Sequence, residues 1–366
     1  MTFTSRVLSL FPTPAYLSML AAGIDVSDNS VKYITFSKSR THGRRLSGYG
    51  SMQIPKGVVV GGKVVDAKKL TEVLSLFREK YKLHFVRASL PEEEGYIFPS
   101  YVPTGITKKE VQEVLEFKLA ENVPLTASEA VFDFDSVRDA SLFVGQRLVS
   151  VSAYPQAIAQ QYADLLIASG LEPLSLEIEA QAIARAIVPK SFVGACMVVD
   201  VGRTRSGISV VRGQAVRFTA TVDIGGDNVS DVILATLPAT TEEDMVRIKN
   251  QEGLHFSGDA TIRQGFETFA KSIATELDRY IVYWQTHKDI KDSNVSHIPI
   301  ERVFLSGGNA NIAGLPEYLA HALHIPVEIG NVWTNAFSLD GYVPEIPFND
   351  SLGYASAIGL ALHEHE

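Results

Sequence analysis

Apolar residues set the first division of the chain. Over 23–27, 31–37 and 46–54 they come in short runs separated by polar turns, which predicts three strands. The stretch 57–66 repeats this on a smaller scale, with Gly61-Gly62 placed to turn a short hairpin. From 67 to 81 the period lengthens, and Leu70, Val73, Leu74 and Phe77 recur at helical spacing. Residues 84–90 return to a strand, ended by Pro91 and the run Glu92-Glu93-Glu94. Those glutamates are expected to form a solvated acidic face or to supply helix N-terminal charge.

Residues 92–155 read as a compact unit. A strand at 95–103 precedes a helix at 108–121, for which Thr107 is the N-cap and Glu110 its capping-box partner. Two period-two segments follow at 130–137 and 147–154. The order strand, helix, strand, strand predicts an inserted subdomain. Beyond it, 156–169 and 177–188 read as helices, 195–226 as strands with Gly/Arg/Thr turns, and 240–251 and 261–287 as helices. The long helix carries Ile262, Phe266, Phe269, Ile273, Leu277, Tyr280, Ile281 and Trp284 on one face, a core stripe. A strand, a Gly-rich turn and a helix fill 302–323, and a helix over 351–363 closes the chain.

Composition narrows the function. The 366 residues carry a formal net charge of -9 with no long basic run, which argues against nucleic-acid binding as the main role. A single cysteine, Cys196, sits in an apolar run and cannot form an internal disulfide. The apolar stretch 15–24 is about half the roughly 20 residues a membrane-spanning helix needs. The segment 1–20, with its two prolines, reads as a flexible tail or an amphipathic foot rather than a signal peptide.

An internal repeat supplies the candidate chemistry. GIDVSDNSVKYI (23–34) has a counterpart in VVDVGRTRSGIS (198–209): strand, aspartate, short polar turn, strand, with Asp25 matching Asp200 and Ser27 matching Gly202. Turns of small residues can aim successive backbone N–H groups at an anion. Two facing turns can hold a polyphosphate, with an aspartate at each strand end orienting the waters of Mg²⁺ and Lys32 adding positive charge. SGGNANIAGL (306–315) follows a strand and opens a helix, and its glycines allow close approach of a flat ligand such as a purine. No Walker P-loop is present.

These segments resemble the actin-like ATPase superfamily, and within it the PilM family of the type IV pilus inner-membrane platform. The resemblance spans nearly all of 22–362. It rests on GIDVSDNSVK, AENVPLTASEAVFDF, LEIEAQAIARAIV, VVDVGRTRSGISVV, TVDIGGDNVSDVI, RVFLSGGNANIAGLPEYL and ASAIGLAL. It implies an α/β, ribonuclease H-like fold of two lobes around a nucleotide cleft, with the strand–helix–strand–strand unit inserted. By family pattern 21–91 with 156–190 form the first lobe and 92–155 the insertion. The second-lobe core takes 191–225 with 301–350, and a further second-lobe subdomain takes 226–300. The segment 351–366 is a C-terminal helix packing back on the first lobe.

The resemblance also implies ATP and Mg²⁺ as ligands. Asp25, Ser27, Asp28, Asn29, Ser30 and Lys32 would form the first phosphate loop, and Asp200, Gly202, Arg203, Thr204 and Arg205 the second. Gly225, Gly226, Lys249, Ser306, Gly307, Gly308 and Asn309 would line the nucleoside side, with Asp25 and Asp200 meeting the metal through water. Glu179 stands where a water-positioning carboxylate can sit, and reads equally as a surface glutamate. Two departures point to weakened nucleotide affinity or a degenerate site: Ser27 where glycine is usual, and Val246 where the family's ribose-contacting glutamate belongs. Activity is expected to be at most a slow ATPase.

The implied role is a scaffold peripheral to the cytoplasmic face of the inner membrane. It would bind the N-terminal cytoplasmic peptide of a PilN-like protein in the groove between first lobe and insertion, with self-association left open. The alternatives are an FtsA-like membrane-associated filament protein, or a small-molecule kinase or phosphatase on the same fold. A membrane anchor after 362 and a substrate base beyond Glu179 and Asp200 are the features those readings call for.

Overall fold

The computed structural model describes residues 20–39, 43–137, 144–286 and 298–363. The expected tail over 1–20 lies outside them apart from Leu20. Strands β1 (Ala22–Val26), β2 (Ser30–Ser39) and β3 (Gly43–Gln53) form an antiparallel meander. The hairpin β4 (Val59–Val60) to β5 (Lys63–Val64) turns on Gly61 and Gly62, both at positive φ, which a side chain resists. Helix α1 (Ala67–Tyr81) starts where the Asp66 carboxylate accepts the Lys69 N–H and stops at Lys82 in the left-handed region. Its predicted face, Leu70, Val73, Leu74 and Phe77, is buried, at roughly 1.5–3 kcal/mol for each fully enclosed large side chain. Strand β6 (Phe85–Leu90) then pairs parallel to β1.

The insertion contains β7 (Tyr96–Pro103), α2 (Lys108–Asn122), β8 (Ala130–Ser136) and β9 (Gln146–Pro155), with sheet order β7-β9-β8. The Thr107–Glu110 capping box forms as predicted, the Thr107 N–H donating to Glu110 Oε2 at 2.7 Å. Val111, Leu115 and Leu119 of α2 pack with Val149 and Val151 of β9 in a separate small core. The chain returns to the first lobe through α3 (Gln156–Ala168) and β10 (Glu172–Ile178), and α4 (Glu179–Ile187) leads out of it. The helix expected from 177 therefore begins two residues later. Glu177 and Ile178 end a strand that pairs parallel to β6, and that pairing overrides the local helical pattern.

The second lobe repeats the first. Strands β11 (Ala195–Val201), β12 (Ser206–Arg212) and β13 (Ala215–Val222) form the meander. Then come α5 (Asp227–Thr236), α6 (Glu242–Arg247), α7 (Ala260–Thr286), β14 (Ile300–Ser306), α8 (Leu315–Leu323) and β15 (Val327–Ile329). The two five-stranded sheets have matching orders, β3-β2-β1-β6-β10 and β13-β12-β11-β14-β15, with parallel pairing on the same side of each. The stripe on α7 is core: Ile262, Phe266, Phe269, Ile273, Leu277 and Ile281 are buried. The helix expected over 240–251 is α6 followed by a π-helical turn, Ile248–Glu252. The last helix is broken into α9 (Phe348–Ser351), a 3₁₀ turn and α10 (Ala355–Leu362).

Helix α10 is wedged between β1 and α4, and two glycines permit it. A Cβ on Gly23 would stand 2.0 Å from the Ala357 carbonyl oxygen, and one on Gly359 1.7 Å from that of Ala182. The insertion reaches the other way, toward the second lobe. Ser150 of β9, itself buried, donates its hydroxyl to the Val216 carbonyl of β13 at 2.9 Å.

Candidate functional site

Matched sheets bring matched strand ends together. The tips after β1 and β11 both face a cleft of about 360 Å³ between the lobes. Its walls include Asp25, Ser27, Asp28, Asn29, Ser30 and Lys32 from the first tip and Asp200, Gly202, Arg203, Thr204 and Arg205 from the second. Glu179, at the start of α4, and Gly307, Gly308 and Asn309, after β14, line it as well.

Each aspartate has a serine on the neighbouring parallel strand. Ser89 of β6 donates to Asp25 Oδ1 at 2.9 Å, and Ser306 of β14 pairs in register with Asp200. Burial and the charge of Asp25 push the Asp200 carboxyl up to about 6, with Lys32 and Ser306 acting against the rise. Burial, then the carboxylates of Asp25, Asp200, Glu92 and Glu93, holds Glu179 well above the usual range. Glu179 thus keeps a proton more readily than a surface glutamate does.

The two tips differ in how they are held. In the first, the Ser27 hydroxyl donates to the Ser30 carbonyl at 3.0 Å and accepts the Ser30 N–H at 3.2 Å. Asp28 takes both hairpin N–H groups, from Gly61 and Gly62, at 3.0 Å each. Lys32 donates to the Gly353 carbonyl at 2.6 Å. In the second, the Gly202 carbonyl accepts from Gly226 N–H and Asn309 Nδ2, and Arg203 pairs with Asp227 at 3.0 Å. Among the described residues no acceptor meets the backbone N–H groups of Asp28, Asn29, Arg203 and Thr204 at the two tips.

Other expected site residues stand behind the cleft wall. Ser306 is fully buried. Gly225 and Gly226 brace the second tip, and a Cβ on Gly226 would meet Asn309 Oδ1 at 2.0 Å. Lys249 donates to the Gly226 carbonyl and to Ser230, and burial lowers its pKa to about 8. Val246 is exposed on α6.

Sequence reasoning misplaced the acidic run. Glu92 is buried in the cleft, where burial and the nearby Glu93 and Asp200 raise its pKa well above the ordinary value. Its Oε2 lies against Gly207 of β12, 2.8 Å from where a Cβ would be. Glu93 forms an ion pair with Arg205 and Glu94 pairs with Lys63 at 2.9 Å, and both keep some contact with solvent. The available signal was position: the run follows directly on a parallel strand, and ligand crevices in α/β sheets gather at the carboxyl ends of such strands. Gln53, Thr221 and Gly353 also line the cleft without having been singled out.

Two similar lobes, matched sheets and an acidic cleft with converging turns define the actin-like ATPase fold. The family model for type IV pilus assembly protein PilM matches residues 23–365, and the chain belongs to that family. Among solved structures, it is similar to a PilM–PilN type IV pilus biogenesis complex, with TM-score 0.73 and 20% identity over 94% of this chain and 98% of that one. It is also similar to the ethanolamine utilization protein EutJ from Carboxydothermus hydrogenoformans, with TM-score 0.54 and 15% identity over 96% and 90%. No curated protein sequence matches it. No helix among the described residues is long and apolar enough to cross a membrane.

Proposed function

We propose that this chain is an ATP-binding scaffold of type IV pilus assembly, seated at the cytoplasmic face of the inner membrane. The observation that carries the reading is the pair of facing tips, each with backbone N–H groups lacking a protein acceptor and an aspartate at its base. The residues suit a metal-bound triphosphate better than a bare one. Even without Glu92 and Glu179, which hold protons more readily, Asp25, Asp28, Glu93 and Asp200 outnumber the cationic Lys32, Arg203 and Arg205 along the cleft, so naked polyphosphate would meet no net attraction. Asp25 and Asp200, one on each wall of the cleft, would hold such a cation through water, as suits Mg²⁺.

When bound, Mg²⁺ would neutralise phosphate charge. The chain's own residues orient the ligand: the tip N–H groups and Lys32 receive phosphates, and Gly307, Gly308 and Asn309 border the nucleoside. Glu179, whose carboxyl is held above the ordinary range by burial and its acidic neighbours, is the carboxylate on the cleft wall that would orient water, and turnover is at most slow. The partner is the N-terminal peptide of a PilN-like membrane protein, lying between the first lobe and the insertion. On the first lobe Glu177 of β10 pairs with Arg185 at 2.6 Å and with His363 at 2.8 Å, and Asp135 of β8 in the insertion feels the charge of all three.

Calorimetry of the purified chain tests the nucleotide reading. Micromolar Mg-ATP binding is expected, weakened at least about tenfold by Asp25→Ala and by Lys32→Ala, each of which removes a charged partner. Absence of binding by the parent protein would make the fold a purely structural adaptor.

A further inference from the structure

Arg205 does more than line the cleft. It leaves the second tip, crosses to the first lobe, and pairs there with two carboxylates. Its Nη2 meets Asp28 Oδ2 at 2.8 Å, and its Nη1 pairs with Glu93. All three side chains are mostly buried. Asp28 is itself fixed by the Gly61 and Gly62 N–H groups, so the guanidinium docks on a preformed acceptor.

The second carboxylate matters because of where it lies in the chain. Glu93 belongs to the short connection between β6 of the first lobe and β7 of the insertion. That connection is a wall of the cleft, through Glu92 and Glu93, and it is also fastened to the insertion. Tyr154 of β9 donates its hydroxyl to the Pro91 carbonyl at 2.8 Å. On the far side, Thr219, Thr221 and Asp223 of the second lobe border a smaller pocket of about 330 Å³ that Arg205, Glu92 and Glu93 share with the cleft. The ion pair between Arg205 and Glu93 stands at the junction of the two spaces.

We infer that Arg205, with Asp28 and Glu93, is an interlobe latch that fixes the connection 91–95 and so makes the insertion's position depend on the phosphate end of the cleft. A phosphate reaching the second tip competes with Asp28 and Glu93 for the same guanidinium. Release of Glu93 frees the connection, and the insertion moves against its seat at Ser150 and Val216. The latch stands on the geometry of this chain, whereas its response to nucleotide rests on the function proposed above.

Hydrogen exchange on the full-length protein separates the two. Without nucleotide, Arg205→Gln and Glu93→Gln should each speed amide exchange in β7 and β9 about tenfold, as losing a charge-assisted bond implies. Exchange in α7 and α8 should stay unchanged, and Arg205→Lys should restore part of the protection. Parental exchange rates in both variants would overturn the latch; if Arg205→Gln fails to fold, Glu93→Gln decides alone. Adding Mg-ATP should then change exchange in β7 and β9 of the parent and leave Glu93→Gln, which keeps the second tip intact, unaffected. An unresponsive insertion in a parent that binds Mg-ATP by calorimetry would overturn the coupling. A parent that binds no Mg-ATP defeats the nucleotide reading, and the first comparison still decides the latch.

Discussion

The tip between β1 and β2 and the tip between β11 and β12 share strand order, register, a basal aspartate and a turn-closing backbone bond, yet their side chains are used differently. The first is closed upon itself by Ser27 and Ser30 and tied to its own lobe through Asp28 and the Gly61-Gly62 hairpin. The second closes through the same backbone bond, Gly202 N–H to the Arg205 carbonyl at 2.9 Å, but with no hydroxyl in it, and its Arg205 side chain reaches out to the other lobe. Duplication supplies a frame for an anion, and the side chains on the frame divide the work into a fixed jaw and a jaw that can report. Ser27 fits this division, since its hydroxyl adds side-chain bonds to Ser30 that the glycine of the second tip cannot make.

The largest expected effect separates the two plans by sterics. A Cβ on Gly202 would lie 2.7 Å from the Arg205 carbonyl oxygen, so Gly202→Val should lose about 1–3 kcal/mol of stability in urea unfolding. Ser27→Gly forfeits only hydroxyl bonds and should cost roughly 1 kcal/mol. Equal losses would remove the distinction between the jaws.

Electrostatics gives a smaller, pH-dependent contrast. The folded pKa of Asp200, about 6, lies above its ordinary value near 3.8, so the native state binds the proton more tightly. Its contribution to stability therefore falls as pH rises from about 4 to about 6, and the cost persists above that range. Asp200→Asn should be more stable than the parent at pH 7.5, by about 1 kcal/mol or more, with the gain vanishing toward pH 4. Glu177 provides the opposite sign: His363 and Arg185 overcome its burial and keep its pKa low, so its contribution is present above its ordinary pKa and is lost as pH falls. A parent-minus-variant difference that stays flat across this range would refute the assignment to Asp200.

The smallest effect is expected at the pair of Lys63 and Glu94, next in the chain to the buried Glu92 and the latched Glu93. It is solvent-exposed at the lysine, and such pairs contribute little and are screened by salt. Lys63→Ala should leave the urea midpoint unchanged at any salt concentration, in contrast to Glu93→Gln.

Much of the frame was legible because it depends on short-range periodicity. The strands of both meanders, helix α1, the capping box at Thr107 and Glu110, and the duplicated Asp25 and Asp200 all follow from residues close in sequence. Strand β10 was not, because its identity comes from pairing with β6, some 85 positions earlier in the register Glu172↔Phe85. Helix α5 and strand β15 were missed as elements. The first has ten residues directly after a Gly-Gly turn, and the second has three residues completing a sheet edge. The acidic run was misread for the same reason: hydropathy marks Glu92 for solvent, and only the approach of β12 encloses it.

By itself the sequence determined that two similar strand–turn–strand units exist, each ending in an aspartate, with an α/β insertion between the halves of the first lobe. These are properties of local pattern and of repeat, which survive in one dimension. Only the tertiary structure decided that the two aspartates share a cleft, that burial raises the pKa of Asp200, Glu92 and Glu179, and that Arg205 spends its charge on the opposite lobe. Those outcomes depend on which groups lose water together and which charges then face one another, and that is fixed when the lobes close.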